Sequence, residues 1–135
     1  MTNDNKSLNP VMMEPDPYRH TSDGKPSDVL ENQVRVIASQ VEYGFDPIDD
    51  DESEGNPIMD WLEGVLDFQW IVASDKQTLL GARLLVAFGG PNIWVDTTRG
   101  TVEGYWWMDI AFANFRTDSE NAQEIREYLQ MIWDC

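Results

Sequence analysis

The chain has 135 residues, 41% of them hydrophobic, and its 25 acidic and nine basic side chains give a net charge of −16. This length is typical of one domain. So strong an acidic balance opposes direct binding to nucleic acid or to an anionic membrane surface, and it indicates a protein partner with a basic face.

Thiol, imidazole and zinc chemistry have little support in the composition. The one cysteine, Cys135, is the last residue, and the one histidine, His20, lies in a proline-containing N-terminal stretch. Zinc sites and nucleophilic triads need several such residues close together. We therefore predict no cofactor, no metal site and no catalytic residue. We expect a cytoplasmic protein, because no signal peptide or membrane-spanning run is visible.

Residues 1–26 contain four prolines and few large apolar side chains, which is typical of a flexible tail. Residues 27–135 are predicted to form a single domain. Its first helix is expected to start near Asp28, which with Glu31 has the spacing of a capping box, and to end at Gly44. Apolar residues recur there at helical spacing: Leu30, Val34, Ile37 and Val41.

Residues 46–56 are predicted to form an acidic loop. No alignment with an EF-hand loop places both its glycine and its final glutamate correctly, so a solvated loop is favoured over a calcium site. Five carboxylates of this loop are candidates for binding a basic partner: Asp49, Asp50, Asp51, Glu52 and Glu54.

Two more helices are predicted from capping signals. Asn56 followed by Pro57 indicates the N-cap and first residue of a short helix, which we expect to end near Asp67. A last helix is predicted from Thr117, which has capping-box spacing to Glu120. Its apolar face is expected to contain four residues: Ala122, Ile125, Leu129 and Ile132.

Residues 68–115 are typical of strands. Gly89-Gly90-Pro91-Asn92 and Thr98-Arg99-Gly100 are turn signals, with Gly100 at the position that most needs a positive φ. The element order predicts an α+β fold. It consists of an antiparallel β-meander of about four strands, two helices before it and one C-terminal helix packed on it.

A carboxylate-based hydrolase or ligand-binding domain stays open as an alternative. Asp96 and Glu103 are expected to face each other across the hairpin, with Asp109 close in sequence and aromatic residues nearby. Such aromatic residues are more typical of a sheet core. Trp106 and Trp107 should point to opposite faces of a strand, so that one joins the core while the other is exposed or covered by a helix. An exposed one would be a natural contact for a protein partner, and Trp107 is the candidate.

Three stretches of the C-terminal half resemble a family of small uncharacterised proteins from bacteria, phages and mobile elements. They are Leu85–Thr97 (LVAFGGPNIWVDT), Gly100–Trp107 (GTVEGYWW) and Trp133–Cys135 (WDC). The resemblance implies a shared fold, carries over no activity and no catalytic residue, and favours a role in the conflict between a phage or plasmid and its host.

Together these observations suggest a non-enzymatic inhibitor that blocks a basic, nucleic-acid-binding surface of another protein. An anti-CRISPR or anti-restriction protein that partly mimics DNA is the concrete form of this hypothesis. Glu120, Glu124 and Glu127 of the last helix would form a second row of carboxylates beside the acidic loop. An immunity protein or antitoxin that neutralises a cognate toxin is the alternative.

Overall fold

The computed structural model describes residues 26–45 and 55–135. The elements are α1 (Pro26–Tyr43), α2 (Pro57–Glu63), β1 (Asp67–Val72), β2 (Leu79–Ala87), β3 (Asn92–Asp96), β4 (Thr101–Trp106), β5 (Asp109–Asn114) and α3 (Glu120–Asp134). The strands form one antiparallel meander in the order β1-β2-β3-β4-β5. The predicted α+β fold is confirmed. There are five strands instead of about four, because β5 pairs along its full length with β4.

The helices cover one face of this sheet. α1 contacts β4 and β5, α3 contacts β2, and α2 contacts α3. Residues paired directly across the strands point to the same face, and one such row is Leu84, Val95 and Val102, all with no exposed surface. This row lies beneath the helices and forms the centre of the core. No helix in the described ranges is long and apolar enough to cross a membrane.

Helix α1 lies close to β4 because β4 has a glycine beneath it. A Cβ atom on Gly104 would lie 2.7 Å from Val34 Cγ1 and 2.8 Å from Leu30 Cδ1. A larger residue at this position would therefore force the side chains of Leu30 and Val34, or the helix that carries them, to move. The helix ends before Gly44, as predicted. Its buried face contains three of the predicted apolar residues and one alanine: Leu30, Val34, Ala38 and Val41.

The boundaries of the first two helices differ slightly from prediction. α1 begins at Pro26, which the sequence assigned to the tail, and the rest of that tail lies outside the described residues. α2 has the predicted N-cap: Asn56 Oδ1 accepts the N–H groups of residues 58 and 59 at 2.9 and 3.3 Å. It ends at Glu63 and not near Asp67, because β1 already begins at Asp67.

Helix α3 starts from a different cap than predicted. The hydroxyl of Ser119, and not of Thr117, accepts the N–H of Ala122 at 3.1 Å. A hydrogen bond from the Ser119 N–H to the Arg116 carbonyl closes a turn that leaves Thr117 outside the helix. Of the predicted apolar face, Ala122, Ile125 and Leu129 are buried, and Ile132 is partly buried against the core.

Candidate partner-binding groove

A groove lies between helix α1 and the edge strand β5. Its volume is about 410 Å³. Helix α1 lines it with Glu31, Arg35, Ala38, Ser39, Glu42 and Tyr43, and β5 lines it with Phe112, Ala113 and Asn114. Because side chains three or four positions apart are neighbours on a helix, the polar residues of α1 form one stripe along the groove.

The groove continues at the C-terminal end of α1 into a second hollow of about 320 Å³. Glu42 and Tyr43 line both hollows, and the first turns of α3 complete the second one with Ser119, Glu120, Asn121 and Glu124. Asn121 Nδ2 holds the two helices together by donating to the carbonyls of Gln40 and Val41 at 3.2 and 3.0 Å. We call the two hollows together the acidic groove.

The charge of the acidic groove is strongly unbalanced. Its four carboxylates are Glu31, Glu42, Glu120 and Glu124, and Arg35 is the one cation among its described lining residues. In the part of the chain that the structure describes, no lysine or arginine nitrogen lies within 4.0 Å of these four carboxylates. Arg116, whose pKa is raised mainly by Asp118 and also by Glu42, acts on Glu42 from a greater distance. Glu31, Glu120 and Glu124 are therefore the groove carboxylates with no ion-pair partner among the described residues.

Glu42 occupies the junction of the two hollows and is held in place. Its Oε1 accepts the backbone N–H of Arg116 at 2.9 Å. The guanidinium of Arg116 instead binds Asp118 through Nε and Nη2, both at 3.1 Å, and this pairing lowers the pKa of Asp118. A hydrogen bond with Glu42 raises the pKa of Tyr43 above 10.0, because ionising the phenol would place two negative charges together.

Two predicted carboxylates, Glu120 and Glu124, line the acidic groove, and Glu127 follows them on the same exposed stripe of α3. The other five, in the acidic loop, lie outside the described residues: Asp49, Asp50, Asp51, Glu52 and Glu54. Sequence reasoning missed Glu31 and Glu42. The available signal was their helical spacing on the polar face of α1, but the sequence does not reveal that this face borders β5.

Trp107 lies outside the acidic groove, at the opposite end of β5 from Asn114. It forms, with Met108, the two-residue turn between β4 and β5, and the two side chains are 85% and 94% exposed. Trp106 is 4% exposed and belongs to the core, so the prediction of one buried and one exposed tryptophan is confirmed. The cause differs from the predicted alternation along a strand, because Trp107 is a turn residue with φ of +58°.

The carboxylates considered for a hydrolase have structural partners. Asp96 pairs across the strands with Thr101, and Glu103 pairs with Trp94, so the expectation that Asp96 and Glu103 face each other directly is wrong. Asp96 Oδ1 accepts the N–H and the hydroxyl of Thr98 at 2.9 and 2.7 Å, which fixes the β3–β4 turn. The prediction of a positive φ in that turn is confirmed at residue 100, with φ of +71°.

Glu103 lies on the sheet face that the helices leave uncovered. Its Oε1 accepts Arg83 Nη2 at 2.8 Å and the Tyr105 hydroxyl at 3.1 Å, and the Arg83 guanidinium lies 4.5 Å from the centre of the Trp94 ring. Burial and the bond to Glu103 both raise the pKa of Tyr105. Asp109 pairs with Trp106 at the other end of β4.

Comparisons of the chain with protein-family models, curated proteins and solved structures give no match. Within residues 26–45 and 55–135, no group of three or more His, Cys, Asp or Glu side chains is arranged to hold a metal ion. A proposal about function therefore depends on the fold and on the acidic groove.

Proposed function

We propose that this protein is a non-enzymatic binding protein whose acidic groove receives a basic surface of a partner protein. The observation that supports this proposal is the charge of the groove, where four carboxylates face one arginine among the described lining residues. Complementary charge speeds association, selects partners and makes binding sensitive to salt.

The groove carboxylates are mounted on rigid supports. Glu120 and Glu124 extend from α3, which is fixed to the core by buried residues on its opposite face. Glu42 is oriented by the Arg116 N–H. Side chains and backbone that are ordered before binding lose less entropy when the partner arrives, so this arrangement favours affinity.

A nucleic-acid-binding protein is the partner class that fits best. Such proteins present lysine and arginine side chains to phosphates, and a row of carboxylates carried by two helices offers them an alternative anion. An inhibitor of anti-CRISPR or anti-restriction type would then compete with DNA for the same basic surface. Glu127, on the same stripe of α3, would extend the contact.

The proposal is tested by capture on the immobilised full chain from a bacterial lysate, followed by purification of the captured protein and measurement of its Kd. The groove variant replaces Glu31, Glu120 and Glu124 by Gln. A control variant removes three carboxylates outside the groove, with Glu63→Gln, Asp67→Asn and Asp134→Asn. Both variants change the net charge equally, so they separate the position of the charges from their number.

We expect the groove variant to bind the purified partner about tenfold more weakly, because three exposed ion pairs together contribute about 1–2 kcal/mol. The control variant should stay within about threefold of the wild-type Kd, as expected from long-range charge alone. Equal losses in the two variants would contradict the groove as the binding site. A captured toxin that does not bind nucleic acid, and whose toxicity the chain abolishes, would identify an immunity protein and contradict the nucleic-acid-binding partner class.

A further inference from the structure

Strand β5 is an edge of the sheet with unused hydrogen-bonding groups. In an antiparallel pair, alternate residues direct their N–H and C=O groups to the neighbouring strand and the others direct them away. The Phe115 N–H donates to the Gly100 carbonyl at 2.9 Å, which puts odd-numbered residues in contact with β4. Ile110, Phe112 and Asn114 therefore point their backbone groups outward, where no described residue pairs with them.

Among the described residues, strand β5 lacks several of the features that normally prevent strand addition, although helix α1 packs against it. The central residues of β5, 110–113, include no charge and no proline, and the β4–β5 register has no bulge. The opposite edge, β1, is less regular, with a register shift between Ile71 and Val72. Regular, uncharged edge strands are sites where another chain can pair.

We propose that an extended segment of the partner protein adds to β5 as a sixth strand inside the acidic groove. This inference rests on the proposed function and specifies how the groove holds its partner. Side chains on one side of the added strand would meet Glu31, Arg35 and Glu42 of α1. Those on the other side would lie beside Ile110 and Phe112, which are 59% and 60% exposed on the uncovered sheet face.

The dimensions of the groove fit this occupant. The stretch of α1 from Glu31 to Glu42 is about 16 Å long, and about five residues of an extended strand cover the same length. The added segment would therefore alternate basic residues, facing α1, with apolar residues on the opposite side.

Charge selects a basic segment over a second copy of this chain. Each copy has a net charge of −16, and pairing β5 with its own counterpart would place two acidic grooves side by side. Like charges brought together without neutralisation oppose association. A lysine- or arginine-rich segment instead neutralises the groove as it binds.

The test uses the full chain and three labelled heptapeptides. The first alternates valine and lysine, the second has glutamate in place of lysine, and the third has proline at the centre of the valine–lysine sequence. Kd values come from fluorescence anisotropy, and amide hydrogen exchange is followed by NMR. We expect the first peptide to bind at least tenfold more tightly than the other two and to slow exchange at Ile110, Phe112 and Asn114. Equal binding of the three peptides, or unchanged exchange at these amides, would overturn the proposal.

An edge-blocking variant gives a second test. Asn114→Pro removes one outward N–H while leaving the bonds to β4 intact, and proline is tolerated at such edge positions; Asn114→Ala is the matched control. We expect Asn114→Pro to weaken peptide binding at least fivefold relative to Asn114→Ala. Equal affinities would contradict strand addition. The exchange measurement on the wild-type chain decides the question if the proline variant does not fold.

The same variants separate this inference from the proposed function. If the captured partner loses affinity in the groove variant but not in Asn114→Pro, strand addition is wrong while the acidic groove remains the binding site. If neither variant changes the partner's Kd, the proposed function itself is wrong. A dimer seen by sedimentation that Asn114→Pro dissociates would show that a second copy occupies the edge, which also overturns the inference.

Discussion

Arg83 and Glu103 form a 2.8 Å ion pair on the uncovered face of the sheet, with the guanidinium placed 4.5 Å from the centre of the Trp94 ring. The pair neutralises the most central carboxylate of that face. Glu31, Glu120 and Glu124 of the acidic groove have no ion-pair partner within the described part of the chain. The described part of the chain therefore contains both paired and unpaired carboxylates.

The Arg83–Glu103 pair predicts that substitutions of its two residues have non-additive effects on the free energy of unfolding. Arg83→Met should lower the free energy of unfolding by about 2 kcal/mol, because it leaves Glu103, which is almost buried, without its cation. Adding Glu103→Gln to Arg83→Met should restore part of this loss. Urea denaturation of the two single variants and the double variant measures the coupling, and additive losses would contradict a direct interaction.

The close approach of α1 to β4 predicts that Gly104→Ala is destabilising. Its Cβ would lie within 2.8 Å of two core side chains, and overpacking of this kind costs about 1–3 kcal/mol. Gly64→Ala is a suitable control, because a Cβ there meets only the Trp61 carbonyl at an ordinary 3.5 Å. Urea denaturation should show a clear loss for the first variant and a change within about 0.5 kcal/mol for the second.

The turn at Trp107 predicts that two substitutions of this residue differ in stability but have the same effect on partner binding. With φ of +58° the backbone favours glycine, and a non-glycine residue there costs about 1 kcal/mol. Trp107→Gly should therefore be more stable than Trp107→Ala by about that amount in thermal unfolding. If the exposed indole also contacts the partner, both variants should weaken partner binding equally. A more stable Trp107→Ala would show that the turn is not strained.

Asp75, in the β1–β2 turn, has an unusually acidic carboxyl group. Hydrogen bonds from the Thr78 hydroxyl at 2.6 Å and from the N–H groups of Thr78 and Gln77 lower its pKa to about 2. The depressed pKa means that its stabilising effect is present above the unfolded-state pKa near 4 and is lost as the pH falls through about 2.

An NMR titration of the Asp75 carboxyl carbon checks this value. Thr78→Ala should raise the pKa of Asp75 toward 3.8, because the hydroxyl bond makes the largest contribution to the shift. Thr78→Ser keeps the hydroxyl and should leave the pKa near 2. An unchanged pKa in the alanine variant would show that the side-chain bond is absent in solution.

Local signals in the sequence were sufficient for most of the fold. The Asn56 cap, the positive φ at Gly100 and the apolar stripe of α1 each depend on neighbours within a few residues, and all three are present in the structure. The sequence predicted the cap of α3 at Thr117, two residues before the actual cap at Ser119. Two hydroxyls lie close together there, and only the chain reversal after β5 selects between them.

The acidic groove could be predicted only in part. Glu120 and Glu124 were identified because they follow one face of a predicted helix. Their position in one groove with Glu31 and Glu42 depends on how α1 packs against β5 and α3. That contact joins segments about 80 residues apart, including the bonds from Asn121 to α1. Helical periodicity describes one element and carries no information about its distant neighbours.

The salt dependence of partner binding tests the central claim most directly. Kd is measured for the purified partner with the wild-type chain and with the groove variant across a several-fold range of salt concentration. The account predicts that the wild-type affinity falls steeply as salt rises, that the groove variant gives a shallower slope, and that the two curves converge at high salt. A wild-type affinity that does not change with salt would contradict an electrostatic role for the acidic groove.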